Sequence, residues 1–178
     1  MPIIAKASGG SFVPAPAGTW AAVCCDVVDL GMLKVAFGGK EKTQHKIRIV
    51  WQISEVKPDN KPYTVSKRYT LSLHEKSTLR KDLESWRGRK FTTQELDGFD
   101  VETVLSVPCM LAIIQEEKGS DVYANVTAIM KLPKGMELLS PRDYIRVCDR
   151  PPAEAVANEN MPDDPYAGIG ITDDDVPF

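Results

Sequence analysis

Three carboxylates stand in a row at Asp173, Asp174 and Asp175, followed by Val176, Pro177 and Phe178. Residues of these types in this order suit docking rather than catalysis. The phenyl ring can fill a small apolar pocket, a basic residue can pair with the terminal carboxylate, and a basic rim can meet the aspartates. The plainer reading is a solvated acidic end with an incidental phenylalanine.

The complementary charge lies in the middle of the chain. Residues 34–90 hold 15 basic and six acidic side chains, a balance of +9. Residues 151–178 hold seven acidic and no basic ones, or −7, so the whole-chain charge of −3 conceals a basic body with an acidic tail. That split points to nucleic-acid contact. The candidate phosphate contacts are Lys34, Lys40 and Lys42 in a glycine-containing stretch, and Lys46, Arg48, Lys67 and Arg68 on strands. Single-strand binding also uses aromatic platforms, each stacked base contributing ~1–3 kcal/mol. Phe37 and Tyr63 are the better stacking candidates, and Tyr69 and Tyr123 also lie on strands. Trp51 alternates with isoleucines and belongs to the core, whereas Trp20 fits either role.

Little here supports an enzyme. His45 and His74 are far apart, and Gly38-Gly39-Lys40 lacks phosphate-loop spacing. Cys24, Cys25, Cys109 and Cys148 form no Cys-x-x-Cys pair, so neither a zinc site nor a disulfide framework is expected. A nuclease would need carboxylates such as Asp26 or Asp29 to converge with others, and nothing else supports that. The expectation is a non-enzyme with no cofactor and no metal. No apolar run reaches the ~18–20 residues of a membrane span, and residues 1–10 do not resemble a secretory leader. A cytoplasmic protein is expected.

These residues must be positioned by a folded body, and 178 residues, 43% hydrophobic, suffice for one domain. Residues 19–30 read as a first strand and 31–43 as a flexible basic loop. Residues 44–54 and 63–73 alternate with period two and make a hairpin. Lys46, Arg48 and Arg68 fall on its polar face. Lys67 falls on the apolar face, which implies either a bulge or a place at the rim. Residues 77–87 change to a helical period that aligns Leu79, Leu83 and Trp86. A capping box at Thr92 and Glu95 opens another short helix, and residues 101–105 suit a further helical turn. Residues 108–115 and 122–132 form the last hairpin. The fold expected is mainly β, a five-stranded antiparallel OB-fold barrel with a helix between strands 3 and 4; an open α+β sandwich is the alternative. Residues 1–17 are expected to be a flexible leader, 18–150 the single-strand-binding domain, and 151–178 a disordered tail.

The terminal Asp-Asp-Asp-Val-Pro-Phe resembles the acidic tip of bacterial-type single-stranded DNA-binding proteins, which commonly end Asp-Asp-Asp-Ile-Pro-Phe; Val176 is a conservative departure. Residues 69–89 resemble a phage-encoded group of such proteins. The resemblance implies an OB-fold that coats single-stranded DNA in replication, recombination and repair, and a tail that recruits partner enzymes. Pro177 and Phe178 would then fill a partner's pocket, with Asp173, Asp174 and Asp175 toward its basic rim. The long leader and the long insertion at 77–107 depart from the bacterial pattern, so tetramer formation is not carried over and homo-oligomerisation stays open. The acidic tail is also expected to compete with DNA for the basic groove. The alternative is an accessory module whose barrel binds another protein or duplex DNA.

Overall fold

A computed structural model describes residues 13–151. It contains a five-stranded antiparallel sheet with few helices, in the order β3-β2-β1-β4-β5. The strands are β1 (Gly18–Phe37), β2 (Lys40–Val56), β3 (Pro62–Thr70), β4 (Pro108–Lys118) and β5 (Asp121–Lys131). Helices α1 (Thr78–Arg87) and α2 (Thr93–Asp97) and a 3-10 turn (Val101–Val104) lie between β3 and β4. Among the described residues, hydrogen bonds do not close the sheet. Helix α1 nevertheless packs against both outer strands, β3 and β5, and these approach each other beside it.

Strand β1 serves two partners. Ala22 to Phe37 pair with β2, while Gly18 to Val23 pair with β4. Register shifts at Cys25 and Leu30 interrupt the β1–β2 ladder, and such bulges bend a strand and sharpen its twist. The inner face carries Ala22, Cys24, Ile47, Ile49, Trp51, Ile53 and Val65, with Leu111, Ile113, Val126 and Ile129 from β4 and β5. Leu79, Leu83 and Trp86 are buried against it, as their spacing predicts. The Trp86 ring meets Trp51 at 5.9 Å between centroids, and its Nε1 donates to the Pro108 carbonyl. Gly88 ends α1 in the left-handed region, at φ 69°. Ser77 precedes α1, but its hydroxyl donates to the Ser72 carbonyl instead of capping the helix. The Thr92–Glu95 capping box is formed in both directions.

Two segments differ from the sequence reading. Residues 31–43 are not a loop. They are strand on both sides of a two-residue turn at Gly38-Gly39, so β1 and β2 extend beyond the sheet as a two-stranded ribbon. Both glycines have positive φ, 57° and 80°, as a type I′ hairpin requires. The second difference concerns residues 13–17, which composition alone makes a loose leader. Ala15 is buried in the core, and its carbonyl accepts from Gln115 Nε2. The rest of the leader, residues 1–12, and the tail, residues 152–178, lie outside the described residues.

After β5 the chain returns across the outer face of the sheet. Gln52 forms a two-way bridge with the Arg142 backbone, at 2.7 and 2.8 Å. Asp26, 1% exposed, accepts from Tyr144 Oη, Arg146 Nε and the Val147 amide. A buried carboxylate needs such donors, and here they fasten a strap that has no regular pairing of its own. Asp26→Ala is expected to lower stability by about 2 kcal/mol, the worth of a hydrogen-bonded charge, and to raise proteolysis within residues 139–150; urea unfolding and limited digestion read the two effects.

Glu95 supplies a pH test. The Thr92 amide first, then Arg87 and Arg89, hold its carboxyl down to about 2 from an ordinary 4.5. A depressed folded-state value stabilises above pH 4.5, and the benefit is lost as pH falls toward 2. The stability difference between the native chain and Glu95→Gln should therefore shrink across that window in acid titrations of the melting temperature.

Candidate nucleic-acid interface

Period-two alternation along β2 puts Lys40, Lys42, Lys46 and Arg48 on one face. The β2–β3 register adds Arg68 directly opposite Arg48, and Thr70 opposite Lys46. Lys46 Nζ donates to Thr70 Oγ1 at 2.7 Å, which fixes its stem along the strand. From Lys40 to Arg48 the strip is about 26 Å long at ~3.3 Å per residue. Across β1 the same face carries Val28 opposite Arg48, Leu33 opposite Gln44 and Val35 opposite Lys42. Cations therefore alternate with apolar surface. Arg48 and Arg68 stand opposite each other as a cross-strand pair of cations on this face. At its other end the strip stops where Arg142 and Arg146 of the strap cover Gln52 and Asp26.

Not every candidate joins this strip. Lys34 pairs with Thr43 on the opposite face of the ribbon. Phe37 closes β1 opposite Lys40, while its side chain lies outside what the structure describes. Tyr63 is half-buried on the inner face with Lys57 Nζ 5.8 Å from its ring centroid. Tyr123, also half-buried, stands opposite Glu116.

Lys67 and Tyr69 lie on the inner face, away from this strip. The ladder from Gln52↔Thr64 to Lys46↔Thr70 is continuous, so no bulge turns Lys67 outward. Its Nζ lies 2.8 Å from Asp82 of α1, and Tyr69 Oη donates to the same oxygen at 2.8 Å. Tyr69 is 3% exposed. Burial, and then Asp82, push its hydroxyl well above the ordinary tyrosine value. The pair anchors α1 to β3 instead of offering a stacking platform.

Asp29 sits where the ribbon leaves the sheet. Its carboxylate accepts from the Gly31 amide at 2.7 Å and lies 2.6 Å from His45 Nε2. The Gly31 amide first, then His45, hold its carboxyl below the ordinary range. Cys24, Cys25 and Cys109 are buried, whereas Cys148 is exposed. Burial pushes the Cys24 thiol up to about 12 and raises the other two as well, so these are packing groups rather than nucleophiles. Among the described residues, no group of three or more His, Cys, Asp or Glu is placed to hold a metal, and no helix is long and apolar enough to cross a membrane. Asp173 to Phe178 lie outside the described residues.

Sequence reasoning missed the strap and the role of Asp26. The available signal was a carboxylate inside the apolar run at residues 20–28, which must find donors if buried. Compared with known proteins, the chain matches no family model and no curated protein.

Tyr69→Phe tests the structural assignment. It should cost about 1 kcal/mol in urea unfolding and leave oligonucleotide affinity unchanged; a drop in affinity at full stability would return Tyr69 to the interface.

Proposed function

We propose that the protein is a non-enzymatic, sequence-tolerant single-stranded DNA-binding protein on an OB-type barrel. The observation that carries this reading is the cationic strip of Lys40, Lys42, Lys46, Arg48 and Arg68, with its interleaved apolar residues. Phosphates laid along it would release counterions, while Leu33 and Val35 offer non-polar surface to bases. Three features favour the barrel: the strand order, a helix between β3 and β4, and the approach of β3 to β5 beside α1. In this reading the protein covers single strands in replication, recombination and repair. Its tail, residues 151–178, recruits partners, with Phe178, Pro177 and Val176 entering an apolar pocket and Asp173, Asp174 and Asp175 meeting basic groups.

A second reading, an accessory module whose barrel binds another protein or duplex DNA, draws on the ribbon. Met32 is 63% exposed and Leu33 39%, more apolar surface than phosphate contact needs. Titration of the full chain with oligo-dT at two salt concentrations, followed by tryptophan fluorescence, separates the two. The first reading expects tight, salt-sensitive binding, with duplex of equal length far weaker. Arg48→Glu should then weaken oligo-dT binding by tenfold or more and flatten the salt slope by ~0.7 for each phosphate that is no longer neutralised. Equal affinity for duplex and single strand would overturn it.

A further inference from the structure

On the side of the body formed by α1, α2 and the 3-10 turn there is a cavity of about 300 Å³. That is the lower end of the ~300–1,000 Å³ range of ligand pockets. Trp86, Phe99, Val104 and Val107 give it apolar walls, and Arg87, Arg89 and Glu95 supply its charged groups. Arg87 is held rigidly. Its guanidinium lies 4.6 Å from the Phe91 ring centroid and 5.2 Å from that of Phe99, and its Nη2 donates to Glu95. Its Nη1 is buried and, among the described residues, finds no acceptor. A buried guanidinium nitrogen left without an acceptor is costly. Arg89 also donates to Glu95 but stays 57% exposed. The same end of α1 carries Lys131, whose stem packs over Gly88.

An apolar hollow bordered by the exposed cations Arg89 and Lys131 suits a ligand that joins an apolar body to carboxylates. The tail carries that combination in Asp173 to Phe178. The geometry points to this segment, from the same chain, as the occupant. In this arrangement the Phe178 ring packs among Phe99, Val104 and Val107, and the acids face Arg89 and Lys131. Reach is sufficient: the 27 residues after Pro151 span up to ~90 Å when extended, against a radius of gyration of about 14 Å for a body of this size. The inference is independent of what the sheet face binds. It gives the protein a resting place for its tail that leaves the cationic strip open.

The test uses the full chain, with isotope-resolved amide, indole and guanidinium resonances. Phe178→Ala and, separately, Asp173→Asn with Asp174→Asn and Asp175→Asn should shift the signals of Trp86, Arg87, Phe99 and Thr103. The shifts caused by the tail variants should be smaller in an Arg89→Ala background, which removes one of the cations that meet the tail. The differences should persist on tenfold dilution, as a contact within one chain requires. Cavity signals unmoved by both tail variants would overturn the proposal. So would shifts confined to Lys46, Arg48 and Arg68, which would place the tail on the strip, or shifts that vanish on dilution, which would make the occupant a second copy.

Discussion

Ala22 and Val23 pair with β2 on one side and β4 on the other, and the rest of the architecture depends on that double use of β1. Two antiparallel hairpins, β2–β3 and β4–β5, are joined only through this short overlap. The bulge at Cys25 follows it immediately, so β1 turns away from β4 while keeping β2. The twist gained there brings the outer strands toward each other and makes room for α1 to cover the gap. Trp86, reaching Trp51 on one side and the Pro108 carbonyl on the other, ties both hairpins to the helix.

The two faces of β2 divide the labour. Odd-numbered positions from Ile47 to Ile53 are core, and the even-numbered positions from Lys40 to Arg48 carry charge except at Gln44. The strap uses the outer face too, fixed by one buried carboxylate, and thereby bounds the strip. Asp26 thus sets where the cationic surface ends, although it contributes no positive charge. Lys67 and Tyr69 do the converse: chemically suited to an interface, they are committed to Asp82 and hold α1.

What could be read in the sequence was whatever burial imposes on periodicity. Ile47, Ile49, Trp51 and Ile53 alternate because one face is wet, and Leu79, Leu83 and Trp86 recur because one helical face is dry. The ribbon escaped notice because both its faces meet solvent, so 31–37 and 40–45 carry no alternation, and their glycines and lysines imitate a loop. The strap escaped because it has no period at all; side-chain hydrogen bonds to residues about 90 to 120 positions away hold it. The complete burial of Tyr69 is illegible for a related reason. Spacing put it on the inner face, but nothing local says that a helix 13 residues later will supply the acceptor that lets a tyrosine be buried whole.

Strand β2 is continuous for 17 residues, from the ribbon tip at Lys40 through Trp51 to Val56. The ribbon is therefore a cantilever, clamped at its root in the tryptophan core, with a free arm about 20 Å long at ~3.3 Å per residue. Its β2 edge runs unbroken, while its β1 edge is bulged at Leu30 beside the root. A load on Lys40 or Lys42 travels down the backbone ladder as a change of twist, and the first packed layer it meets is Ile47, Ile49 and Trp51. Whatever grips the tip also acts mechanically on the interior.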